Sequence, residues 1–144
     1  MTKVFEMIVF DCNAAVEMAR GTEYGNALAC LIGDDEKSIA PCFFTYELAN
    51  VMGKYLRGGR VGRSDSLRLG RAASGLVDEF QEEDGWEEVM LESVKLDHSA
   101  YDLFYYLLAQ RNGATLFTLD KKLQNLCLSN GVDCVYLDKD FGRR

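Results

Sequence analysis

Apolar residues fall along this chain in two rhythms. Short unbroken runs of about four to six residues mark buried strands, and longer stretches with apolar residues every three or four positions mark helices with one buried face. Met7–Phe10 is the first short run. A helical stretch follows from Ala14 to about Arg20, ended by Gly21, and a second helix over Glu23–Ile32 stops at Gly33. Ser38-Ile39-Ala40 is a short strand closed by Pro41. From Phe43 onward Leu48, Val51, Met52, Tyr55 and Leu56 recur at helical spacing. Ser64 is placed to cap another helix reaching about Phe80, weakened by Gly70 and Gly75, with Gln81–Gly85 an acidic loop and Trp86–Leu96 a further helix.

The densest pattern lies between Ser99 and Leu123. Ser99 is a good N-cap with Asp102 three residues on, a variant of the capping box. The run from Tyr101 to Ala109 is apolar or aromatic on most sides, as in a largely buried helix. Gly113 suits the left-handed position after a helix. Ala114–Leu119 is a buried strand, Asp120 falls just past it, and Lys121–Ser129 forms the next helix. Gly131 turns the chain into a last strand, 132–137. Strands alternating with helices predict an α/β fold with a mainly parallel sheet.

The 144 residues suit one domain over 1–144, and 48% apolar residues are enough for a core. No run approaches the roughly 20 apolar residues of a membrane span. The start, Met1–Glu6, lacks the form of a signal peptide, so a cytoplasmic protein is expected. Five scattered cysteines with no CxxC pair read as buried, reduced thiols, and Trp86 and the aromatics Phe104, Tyr105 and Tyr106 as core. His98 reads as a structural residue ahead of the Ser99 cap.

Net charge is −7, which argues against a general nucleic-acid coat protein. Its distribution is uneven. Lys54, Arg57, Arg60, Arg63, Arg68 and Arg71 cluster with Asp65 the only acid among them, while acids pool at 34–36 and 78–88. Arg57, Arg60 and Arg63, in the Gly-rich turn 57–63, are candidates to steer an RNA backbone.

Four acids stand out by position. Asp11 and Asp120 follow strands, and Asp102 and Glu47 lie near helix starts. In an open α/β sheet such ends converge on the ligand-binding edge. Carboxylates so gathered repel, and an all-oxygen set suits Mg²⁺ or Mn²⁺. Ions of this kind activate water for phosphodiester cleavage. Asn13 and Thr118, each two residues from one of these acids, can orient ligands or water.

Asp11-Cys12-Asn13 after Met7–Phe10, Glu47-Leu48-Ala49-Asn50, Ala100–Tyr105 and Leu116–Leu123 resemble the four blocks of a PIN domain, in particular the VapC-type toxin ribonucleases. The resemblance runs over nearly the whole chain. It implies a three-layer α/β/α sandwich, Mg²⁺- or Mn²⁺-dependent endoribonuclease activity, an antitoxin partner and a homodimer. Asp11, Glu47, Asp102 and Asp120 then take the catalytic, metal-binding positions, with Asn13 and Thr118 supporting them. Val51, Tyr55 and Leu76 are the apolar positions available for a dimer interface. Cys12 and the bulky Leu103–Tyr106 depart from the family's small residues there. A PIN-fold RNA-processing nuclease without an antitoxin, or a non-catalytic binding module, are the alternative readings.

Overall fold

Short β-compatible runs, each bounded by turn residues or helix caps, become five strands. They are β1 (Met7–Phe10), β2 (Lys37–Pro41), β3 (Glu79–Gln81), β4 (Thr115–Thr118) and β5 (Cys134–Tyr136). The computed structural model describes residues 7–33, 35–83 and 85–137. The expectation for Met1–Glu6, and Asp34 and Asp84 of the acidic pools, lie outside the described residues. The strands form one sheet in the order β3-β2-β1-β4-β5, with every neighbouring pair parallel. Ile8, Val9, Phe10, Ile39, Leu116 and Phe117 are buried. Continuous apolar strands of this kind are what a sheet covered on both faces requires.

Strand order and handedness together assign the helices. The chain steps from β1 to β2 to β3 in one direction through α1 (Cys12–Arg20), α2 (Glu23–Ala29), α3 (Phe43–Arg57) and α4 (Arg63–Gly75). It then reverses to β4 and β5 through α5 (Trp86–Leu96), α6 (Ala100–Asn112) and α7 (Lys121–Ser129). Right-handed crossovers put the first four helices on one face and the last three on the other. The packing agrees: α1 meets α2 and α4, α3 meets α4, and α6 lies across β1, β2 and β4 with α5 and α7 beside it. The result is the expected three-layer α/β/α sandwich around a parallel sheet.

Several boundaries differ from the sequence expectation. α4 is capped by Gly62 rather than Ser64 and stops at Gly75, and the residues assigned to its last turn instead form β3. Three residues flanked by acids carry no readable alternation, but parallel pairing of Ile39–Pro41 with Glu79–Gln81 recruits them as an edge strand. Pro41 ends β2 within the strand rather than after it. α2 closes at Ala29, and Gly33 is not its left-handed stop. Tyr105 and Tyr106 are buried as expected, whereas Trp86 is 70% exposed. Cys12 and Cys127 are buried, Cys30 is exposed, and all five cysteines are free.

The α1–α2 contact depends on Gly25. A Cβ built there would stand 2.1 Å from the Glu17 carbonyl oxygen, and backbone cannot move aside cheaply. Gly25→Ala should therefore destabilise the protein by about 3 kcal/mol or more, as overpacking against backbone does. A denaturant midpoint within error of wild type would show that α2 is not held against α1.

Candidate active site

The carboxyl ends of β1 and β4 are where this fold changes direction, and such a switch point opens a crevice. Asp11 follows β1 and Asp120 lies just beyond β4. The two strands are in register there, with Phe10 opposite Phe117 and the Asp11 N–H donating to the Phe117 carbonyl at 3.2 Å. Both acids also start helices. Asp11 Oδ1 accepts from the Ala14 N–H at 2.8 Å and Asp120 Oδ1 from the Lys122 N–H at 2.9 Å. Aspartate is a preferred N-cap, so each helix fixes the carboxylate that begins it.

The other two acids arrive on helices that share this edge. α3 leaves the carboxyl end of β2 and carries Glu47 in its first two turns. α6 precedes β4 by a single turn at Gly113, so it runs antiparallel to that strand and its first turn, with Asp102, lies at the same edge. Aromatic stacking joins these two helix starts. The Phe43 ring lies 5.5 Å from Tyr101 at 9° and 4.9 Å from Phe104. Glu83, in the acidic loop, accepts from the Phe43 N–H at 3.1 Å and so caps α3, which has no side-chain cap of its own.

The four acids act on one another in a ring. Asp11 feels Glu47 and Asp120, Glu47 feels Asp102, and Asp102 feels Asp120. Burial raises the Asp11 carboxyl to about 7, against hydrogen bonds from Thr118 and Ala14 that pull it down. Burial also raises Glu47 and Asp102 above the usual carboxylate range. Among the described residues no lysine or arginine forms an ion pair with any of the four.

Each acid has a dedicated holder. The Thr118 hydroxyl donates to Asp11 Oδ2 and accepts from the Asp120 N–H at 2.9 Å, linking two acids through one residue. The Tyr105 hydroxyl donates to Glu47 Oε1. His98 Nε2 lies 3.0 Å from Asp102 Oδ2. Among the described residues this leaves one oxygen each of Glu47, Asp102 and Asp120 without a hydrogen-bond partner, a pattern that suits a hard cation supported by outer hydrogen bonds. Among the described residues no three acids, histidines or cysteines stand close enough to hold an ion as they are. The donor set fits a divalent cation, then, as a loose ring rather than a closed cage.

Of the two polar residues expected to support the acids, Thr118 bonds Asp11 and the Asp120 backbone, whereas Asn13 is exposed on the first turn of α1 with no hydrogen bond to its side chain among the described residues. Asp102 is not a capping-box member, because its carboxylate engages His98. His98 and Tyr105 are the positioning residues that sequence reasoning missed. Tyr105 lies three residues after Asp102 on α6, whereas His98 precedes the Ser99 cap and reaches Asp102 from outside the helix. Arg57, Arg60 and Arg63 are exposed at the far end of α3. Arg57 is ten residues from Glu47, or about 15 Å along the helix. Arg60 lies over the Tyr55 ring at 5.7 Å.

The sequence pattern of the PIN domain matches residues 8–129. No curated protein sequence matches. Among solved structures the chain is similar to PAE2754 of Pyrobaculum aerophilum, with TM-score 0.70, 22% identity, and coverage of 90% of this chain and 83% of that one. It is also similar to VapBC2 of Rickettsia felis, solved bound to a DNA fragment from its promoter, with TM-score 0.62, 12% identity and coverage of 92% and 99%. A domain of a functionally unknown protein from Methanocaldococcus jannaschii matches with TM-score 0.56, 18% identity and coverage of 92% and 91%. At these identities the likeness is one of fold.

The Asp11 shift has a pH consequence. From pH about 4 to about 7 the unfolded chain releases this proton while the folded chain keeps it, so stability is lost as pH rises through that window. Without divalent cations the loss should reach roughly 4 kcal/mol from Asp11 alone, with Glu47 and Asp102 acting in the same direction. Thermal melts in EDTA from pH 4.5 to 8 should show wild type losing more than Asp11→Asn. Parallel curves would refute the buried-carboxylate account.

Proposed function

The chain belongs to the PIN domain family, whose members are in general nucleases, and we propose that it is a divalent-metal-dependent endoribonuclease acting as the toxin of a toxin–antitoxin pair. The observation that carries the reading is the ring of four acids from separate segments, three with an oxygen unbonded among the described residues, at the switch point of the sheet. Asp11, Glu47, Asp102 and Asp120 would hold Mg²⁺ or Mn²⁺. The bound cation would supply charge neutralisation at the phosphate and a water acidic enough to attack it.

The chain's own residues prepare that chemistry. Thr118 orients Asp11, Tyr105 orients Glu47 and His98 orients Asp102, so the acids lose little freedom on binding. No side-chain nucleophile is called for. The Cys12 thiol, the nearest candidate, is buried and its pKa is driven up, which keeps it neutral and unreactive. Asn13 stands at the mouth of the edge, available to a water or a ribose hydroxyl. RNA steering by Arg57, Arg60 and Arg63 would act as long-range field at the far end of α3.

The antitoxin reading has two supports. One is the fold likeness to VapBC2 of Rickettsia felis. The other is an apolar groove of about 370 Å³ between α3 and α4, lined by Leu48, Met52, Leu67 and Gly70, which suits an amphipathic helix. A homodimer finds its support on α5 more than at the expected Val51, Tyr55 and Leu76. Trp86, Met90, Leu91 and Val94 form an exposed apolar stripe, with Val94 76% exposed. Glu87 and Glu88 lie at one end of the helix and Lys95 at the other, so two copies packed antiparallel pair opposite charges. Among the described residues no helix is long and apolar enough to cross a membrane.

RNA cleavage should require Mg²⁺ or Mn²⁺ and stop in excess EDTA. Asp102→Asn and Asp120→Asn should each lower turnover a hundredfold or more, a typical loss for a damaged metal site. Metal-free stability should hold in Asp120→Asn, since asparagine is as good an N-cap as aspartate, and should hold or rise in Asp102→Asn, since one of the crowded carboxylates is removed. An active Asp120→Asn protein would remove that residue from the site.

Val94→Glu should convert a dimer to a monomer in sedimentation equilibrium at micromolar protein. A monomeric wild type would refute the dimer, and a dimeric variant would move its interface off α5.

A further inference from the structure

Beside the acids lies a second, polar opening. One face of α7 presents Lys122, Asn125, Leu126 and Ser129, and the α5–α6 connection presents Asp97 and His98 across from it. Between them is an open cleft of about 440 Å³. Its position follows from the fold, because α7 is capped by Asp120 and runs away from the sheet edge for seven residues beyond Lys122, about 10 Å.

Three observations make this cleft more than a surface dent. It shares a wall with the acids, because His98 lines it and also bonds Asp102. Lys122 stands at its rim, near enough to Asp102 to act on its charge, yet no ion pair engages its ammonium among the described residues. The walls offer unengaged amide and hydroxyl groups. Asn125 is exposed with no hydrogen bond to its side chain among the described residues, and the Asn130 amide nitrogen alone is used, donating to the Leu126 carbonyl at 2.8 Å. Among the described residues no aromatic ring lines the cleft, so a ligand here is held by charge and hydrogen bonds rather than by stacking. A phosphate for the ammonium and a base edge for the amides is the chemistry of one unstacked nucleotide.

We propose that this cleft seats the nucleotide next to the scissile phosphate, with Lys122 on its phosphate and Asn125, Ser129 and Asn130 on its base edge. The inference rests on the nuclease reading and deepens it: base preference at one flanking position is set on α7, apart from the acids that cut. The alternative basic surface, Arg57 to Arg63, lies at the far end of α3, away from Glu47.

The test uses the full chain with Lys122→Gln and Asn125→Ala, both exposed positions where the fold should survive. Cleavage of a randomised single-stranded RNA pool with Mn²⁺ reads base preference around the cut. Binding of a short RNA in EDTA, followed by anisotropy against salt, reads phosphate contacts. Asn125→Ala should flatten the preference at one flanking position by roughly fivefold or more, while unselected cleavage continues. Lys122→Gln should lower the salt slope by about 0.7, the share of one phosphate contact on a single strand. Unchanged preference in Asn125→Ala together with an unchanged slope in Lys122→Gln would overturn the cleft while leaving the nuclease intact. A wild type that neither binds nor cuts RNA would overturn the nuclease reading, and this proposal with it.

Discussion

Four carboxylates held at one edge of a parallel sheet, with no lysine or arginine among the described residues ion-paired to them, are the arrangement this structure is built to tolerate. Like charges in a partly dry site raise one another's affinity for protons, and burial of Asp11 adds to it. Left alone, such a cluster would relax by turning its acids into solvent. It does not, because each acid is tied by a group chosen by the fold: a helix start, a threonine, a tyrosine or a histidine. Among the described residues the ties leave one oxygen each of Glu47, Asp102 and Asp120 unbonded. Repulsion and restraint together give the edge a charge that a bound divalent cation would neutralise.

The restraints also explain residues that look unsuited to a tight site. Bulk at Leu103–Tyr106 is unusual for a helix start near an acidic cluster. Here Tyr105 spans from α6 to α3 to reach Glu47, and Phe104 stacks on Phe43 beside it. A small residue at either place would remove one of the cross-links between the two acid-bearing helices. Positional accuracy at an active edge is thus supplied by aromatic packing as well as by hydrogen bonds.

The legible part of this chain was whatever local chemistry decides. Asp11, Ser99, Asp120 and Gly113 are cap residues, and caps are read from the residue and its neighbours. Strands β1 and β4 are buried on both faces, so their apolar runs are unbroken. From these alone the sheet edge and its acids could be placed. β3 was not legible, because its pairing with β2 is decided by partners some forty residues away in sequence. Trp86 was misplaced because hydrophobicity says that a side chain should leave water without saying which molecule covers it. His98 looked structural because the pattern could not show that the Asp97 turn, left-handed at φ 51°, swings it back over Asp102.

Thr118 is where fold and chemistry meet most closely. It is the last residue of β4, and burial there demands that its hydroxyl find partners. It finds two, and both belong to acids: it donates to Asp11 and accepts from the backbone of Asp120. A valine of the same shape would keep the strand packed, but the Asp11 carboxylate would lose a donor and the Asp120 N–H its acceptor. Because Thr118 joins the ends of two adjacent strands, it sets the spacing of their acids more tightly than either strand could alone. The register of β1 on β4 is therefore also a constraint on the site. A slip of one residue would reverse every side chain on β4, turning Thr118 away from Asp11 and putting an apolar residue against it. The burial that selects the register of the core thereby selects the geometry of the acids as well.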